Sequence, residues 1–294
     1  MNQIQASLSR FVCLLVVAAL TCFDALAQDL PATRVWLASI VDGLPAVAVP
    51  ISSSDRYNNQ PMFSPDGRFV YFTAEQADGQ TDIARYEISS GQLGAVNESP
   101  ESEYSPTPIP GQEALSVIRV ELPDQRQRLW RIPLDGAPPS LLMPNVEPVG
   151  YHAWIEPQSV AVFILGESFT LHQAGIGDQP SVWLADHIGR TLRRHPGTGW
   201  ILFVDKNTEP WSIASIDTQS GDQQVVMPLL PGIEDFEVDA RGQYWMGSGS
   251  RLYRSNSANS QWELKADLRE YGIENITRLA SSPDGNFMAI VGSR

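Results

Sequence analysis

The chain has 294 residues, 43% of them hydrophobic, and its 34 acidic side chains outweigh 20 basic ones for a formal net charge of −14. A chain this acidic is repelled by phosphate backbones and anionic membrane surfaces, which argues against nucleic acid as a partner. The densest basic cluster, Arg193-Arg194-His195, is too small to reverse that.

Residues 1–27 read as a secretory signal peptide. Arg10 supplies a sparse positive region, 11–20 a short apolar run, and Ala25-Leu26-Ala27 a small-residue cleavage site. The run is about half the length of a spanning helix, so no membrane span is expected. The predicted mature protein, 28–294, is therefore periplasmic or secreted. Both cysteines, Cys13 and Cys22, fall in the leader. With cleavage after Ala27 the mature chain has no cysteine and no disulfide. A lipoprotein reading of Cys22 fits its neighbours Leu20, Thr21 and Phe23 poorly.

From Arg34 onward the pattern is that of short strands. The clearest unit is 60–73, strand, turn, strand. Ser64-Pro65-Asp66-Gly67 is the turn: Pro65 presets φ for the second position of a type I turn, and Asp66 and Gly67 suit the third and fourth. Phe69, Val70, Tyr71 and Phe72 then fit a pleated, half-buried surface. Ser282-Pro283-Asp284-Gly285 followed by 286–291 repeats the signal near the end. Weaker copies lie between. The strand centres Val70, Leu115, Ala161, Ile201, Tyr244 and Met288 stand 40 to 46 residues apart. A second strand type recurs out of phase at 34–40, 82–88, 128–134, 169–175, 211–217 and 251–254. Several of these run into a Gly turn and a shorter apolar run.

Four short strands per unit of roughly 44 residues make the blade of a β-propeller. The expected fold is all-β, a six-bladed β-propeller with four antiparallel strands per blade, over 28–294. The chain enters on a third-strand pattern and finishes on a second-strand pattern. The last blade should therefore combine N- and C-terminal strands, which locks the ring. Segment 268–273 could form at most one helical turn.

The two Ser-Pro-Asp-Gly turns, each before an apolar strand, resemble the propeller repeats of TolB-type proteins. The resemblance implies a six-bladed propeller, without the α/β domain that precedes it in TolB, for which the residues between Gln28 and Arg34 leave no room. Propellers of this repeat type also occur in prolyl-oligopeptidase-like hydrolases, but those need a Gly-x-Ser-x-Gly elbow, and none is present. Nor is there a His-Glu-x-x-His, phosphate-loop or calcium-loop pattern.

Loops feeding inner strands converge on one channel mouth, where ligands gather. The feeding segments are 57–60, 103–104, 150–152, 191–194, 233–235 and 274–275. Tyr57, Asn59, Tyr104, Tyr151, His152, Arg194 and Asp235 are the expected lining, tyrosine being suited to interfaces. This is binding chemistry rather than a catalytic motif. The favoured function is an exported, non-catalytic binding or scaffolding propeller, monomeric, without cofactor, whose partner is a protein segment or small-molecule ligand. The rival is a metal-dependent carbohydrate- or lactone-active propeller, with His152, Glu234, Asp235 and Asn275 as candidate ligands. In the acidic run Glu234-Asp235-Phe236-Glu237-Val238-Asp239, alternation should turn Phe236 and Val238 inward.

Overall fold

Six four-stranded antiparallel sheets form a ring, and each is a blade. The structure, a computed structural model, describes residues 30–256, 258 and 261–293. The expected leader, its cleavage site, Cys13 and Cys22 lie outside the described residues. Strands of blades I to V span 58–95, 102–141, 149–186, 188–228 and 237–267. Each blade runs from an innermost strand outward: Asn58–Phe63, Ser102–Pro108, Val149–Glu156, Ile188–Arg194 and Glu237–Val238 lie innermost. Blade VI closes the ring as expected. Its inner strands are Glu274–Ser281 and Phe287–Ser293, and its outer strands are Arg34–Val41 and Leu44–Pro50.

Local chemistry explains the turns. Gly67 donates its N–H to the Ser64 carbonyl at 2.9 Å, closing the turn. The Ser64 hydroxyl donates to Asp66 at 2.6 Å and accepts the Phe69 N–H at 2.9 Å, which launches the next strand. Ser282, Asp284 and Phe287 repeat this network at 2.6 and 2.9 Å. Gly67 and Gly285 both hold positive φ, 71° and 73°, a conformation that glycine takes without strain. In the degenerate turn at Asp239, Gly242 donates its N–H to the Asp239 carbonyl at 2.9 Å, and the Asp239 carboxylate accepts the N–H groups of Arg241 and Gln243.

Closure of the ring is apolar. Val35 pairs with Val291 and Trp36 with Ile290 across the junction of the two chain ends. All four are buried. Burying a side chain of this size contributes roughly 1.5–3 kcal/mol. The cores lie between neighbouring blades; one joins Val35, Leu37 and Val291 of blade VI to Phe63, Val70 and Phe72 of blade I. The segment 268–273 holds one short 3-10 turn, Arg269–Tyr271.

The inner strands carry an irregularity that the repeat pattern does not announce. In blades I, II, III, IV and VI the innermost strand slips register with its neighbour near its start. Gln60 (φ 54°), Ser105 (55°) and Asn275 (44°) sit at left-handed φ in these bulges. Bulges of this kind re-aim side chains, and Gln60 and Ser105 line the central cavity.

Candidate functional site

Residues one repeat apart on adjacent inner strands are side-by-side neighbours, and this rule builds the channel wall. Arg190 on blade IV meets Asp235, 45 residues later, just before the blade V strand: its Nε lies 3.1 Å from Oδ2 and its Nη2 also binds that oxygen. Thr191 donates to Asp235 Oδ1 at 3.0 Å. Arg278, on blade VI, reaches the same Oδ1 at 3.1 Å. Three positions further along, Arg193 binds Glu237, 44 residues away, at 2.5 Å. Between blades I and II, Ser105 donates its backbone N–H to Thr73 Oγ1, which itself donates to Gln60.

Three tyrosines stand over this wall. Tyr57, Tyr104 and Tyr151 are spaced 47 and 47 residues apart, one repeat each. Tyr57 is close enough to Tyr104, Tyr151 and Arg278 to interact electrostatically with each. The Arg278 guanidinium lies 4.8 Å from the Tyr151 ring centroid, a cation–π contact. Burial raises the Tyr57 hydroxyl above its ordinary pKa, with Arg278 opposing, so it stays protonated. Burial alone would raise the Asp235 carboxyl; Arg278 and Arg190 overcome that and hold it below the usual carboxylate range.

His152 lies deeper, buried between blades II and III. The Ser116 hydroxyl donates to the Thr107 carbonyl at 3.1 Å and accepts the Trp154 indole N–H at 2.9 Å. Its single proton is spent, so His152 Nε2, 2.7 Å away, is the donor of that bond. Nδ1 therefore carries the lone pair. Burial pushes the imidazole down to about 3, so it is neutral.

The expected lining divides. Tyr57, Tyr151 and Asp235 come together around Arg278, and Tyr104 approaches Tyr57. His152 shares a cavity wall with Tyr151, Arg190 and Arg278. Asn59 is buried beside the mouth and accepts the Gln60 N–H at 2.8 Å. Arg194 sits elsewhere. It is the last residue of its strand, exposed, and it donates to the Ile155 carbonyl at 2.9 Å in a separate cleft with Glu156 and Trp200. The residues passed over are Arg190 and Arg278; Arg193 falls in the expected feeding segment 191–194 but is not among the expected lining. The signal that could have found them is the repeat spacing from Arg190 to Asp235 to Arg278.

The candidate metal donors are dispersed. Glu234 accepts the Arg190 N–H and pairs with Lys206 at 3.0 Å. Asp235 is held by two arginines, His152 by Ser116, and Asn275 is exposed beside Ser293. Among the described residues no group of three or more His, Cys, Asp or Glu is placed to hold a metal ion. No helix among them is long and apolar enough to cross a membrane.

No family model and no curated relative matches this sequence. Solved structures of the same fold do. A protein provisionally assigned as TolB from Agrobacterium tumefaciens superposes with a TM-score of 0.69 at 14% identity, over 89% of this chain and 98% of that one. TolB from Acinetobacter baumannii gives 0.58 at 13% identity, over 91% of this chain and 65% of that one. A gluconolactonase from Xanthomonas campestris gives 0.59 at 11% identity, over 80% and 85%. Identities this low carry the fold and nothing finer.

Proposed function

We propose that this protein is an exported, non-catalytic binding propeller, monomeric, whose partner docks at the channel mouth. The observation that carries the reading is the set Tyr57, Tyr104 and Tyr151, one repeat apart, with Tyr57 and Tyr151 beside Arg278 and Tyr104 near Tyr57. Tyrosine presents an apolar ring, a polar tip and few rotors, so it yields contact area at low entropic cost. Asn59, His152 and Asp235 support the same mouth, and Arg194 falls outside it. The fold is one that two TolB chains share. The leader at 1–27 supports export, which N-terminal sequencing of protein from a periplasmic extract tests; the expected first residue is Gln28.

The rival reading, a metal-dependent lactone- or carbohydrate-active propeller, draws on the fold shared with the gluconolactonase. Its donors would have to break the arginine, lysine and serine contacts just described before they could meet at one ion.

The test is Tyr104→Ala combined with Tyr151→Ala. Loss of partner recovery in a pull-down, with the melting temperature unchanged, is the expected result. A melt lowered by several degrees with partner recovery intact would assign both rings to packing and move the site elsewhere.

A further inference from the structure

The cavity at the centre of the channel has an unusual charge inventory. It holds about 40 Å³ and its only charged lining residues are Arg190, Arg193 and Arg278. No carboxylate lines it. Asp235 and Glu237 contact these guanidinium groups, but Asp235 serves Arg190 and Arg278 together while Glu237 serves Arg193. Three cations thus share two anions, and Glu234 is taken by Lys206. An uncompensated buried charge is costly, and Arg278 is only 7% exposed.

Two further groups, on residues that line the cavity, are unspent. His152 Nδ1 and Ser105 Oγ are buried and have no hydrogen-bond partner in the protein. Their residues are 7% and 9% exposed. The Ser116 network leaves Nδ1 as an acceptor, so a guest must bring it a donor. An ammonium would be repelled by the three guanidinium groups; a hydroxyl would not. On the measure in which one water needs about 10–15 Å³, the cavity has room for about three oxygen-sized groups.

We infer that the channel binds a small 2-hydroxycarboxylate group: the carboxylate on the arginines, and the hydroxyl donating to His152 Nδ1 beside Ser105. Gln60, Ser105 and Tyr151 line the same cavity. This rests on the channel-mouth reading and names the chemistry of its ligand. The excess guanidinium charge gives the charge selection, and the unpaired imidazole gives the hydroxyl selection.

The experiment is a thermal melt and titration calorimetry of the full mature protein at pH 7.5 in low-chloride buffer. The probes are glycolate, acetate, methyl glycolate and sodium chloride. Glycolate is expected to raise the melting temperature saturably. Acetate, lacking the donor, should bind at least tenfold more weakly, and methyl glycolate and chloride should give no shift. Arg278→Gln should abolish the glycolate shift while Asp235 keeps Arg190 and Thr191. Should that variant not fold, Ser105→Ala, which removes one neutral hydroxyl, should weaken glycolate severalfold. Equal shifts with every anion, no shift with glycolate, or unchanged glycolate binding in these variants would overturn the inference. The tyrosine pull-down is independent of these outcomes. If it succeeds while glycolate fails, the mouth is a binding site for a different chemistry; if it also fails, the channel-mouth reading falls with the inference.

Discussion

Arg190 and Asp235 are 45 residues apart in sequence and in direct contact in the channel wall. Among the described residues Asp235 is also the only carboxylate that pairs with Arg278, at 3.1 Å. Asp235→Asn therefore strands two guanidinium groups at once. Removing one partner of a buried ion pair costs about 3–5 kcal/mol. The expected result is an unfolding free energy lowered by that amount, read as a lower urea midpoint with an unchanged slope. Arg278→Gln should cost less, because Asp235 retains Arg190 and Thr191. Equal losses in the two variants would refute the shared-carboxylate arrangement.

Ring closure predicts the effect of truncation. Deleting residues 286–294 removes the strand Phe287–Ser293, which lies between Glu274–Ser281 and Arg34–Val41. The deletion uncovers Val35, Trp36 and Leu37 at a stroke. We expect loss of the cooperative melt. Retained β-structure melting at the same temperature would contradict closure by both termini.

The pH profile should hide two opposing contributions. Burial raises Glu103 to about 7, against the Ser99 hydroxyl and Arg119. The folded state then holds a proton that the unfolded chain gives up, so stability falls as pH rises from about 4.5 to 7. His152 is the reverse. Its folded pKa is about 3 against 6.5 unfolded, so stability falls as pH drops through that range. The contributions are on the order of 3 kcal/mol for Glu103 and 5 kcal/mol for His152. Between pH 4.5 and 6.5 they largely cancel. Glu103→Gln should expose the acid-side loss, and His152→Gln a profile that rises toward acid. Identical profiles for both variants would show that neither group titrates as described.

Chelation separates the two functional readings. With His152, Glu234, Asp235 and Asn275 engaged elsewhere, EDTA is expected to leave the melting temperature unchanged. A bound metal would stabilise the native state by mass action. A stoichiometric metal in elemental analysis, with a melt lowered by chelator, would reverse the ranking.

The ring was legible because its signals are either local or periodic. Ser64-Pro-Asp-Gly67 closes within four residues, and the period of the strands survives in blades whose turns have degenerated. The channel was less legible for a physical reason. Phe236 and Val238 do turn into the blade core, as strand alternation demands. The opposite side of an ordinary surface strand faces water, but the opposite side of an innermost strand faces other innermost strands. Asp235 and Glu237 are accordingly buried, and their partners lie one period away on either side. Arg194 was misplaced along its strand. Arg190, four residues earlier, points into the channel, whereas Arg194 ends the strand at the far rim, where it meets Ile155. The left-handed bulges at Gln60 and Ser105 had no glycine to mark them.

The way blade VI is assembled sets the order of events during synthesis. Arg34–Val41 is among the first strands made, yet both its neighbour on the inner side and the sheet it belongs to depend on Phe287–Ser293. Until that strand emerges, an apolar ribbon of Val35, Trp36, Leu37 and Ala38 has an open edge available to any passing strand. Blades I to V can form as the ribosome advances, but the ring cannot shut until translation has run past residue 290. A stalled or prematurely released chain is therefore an aggregation hazard out of proportion to the few residues it lacks. Growth of this molecule depends on keeping its earliest strand unmated until its latest one arrives.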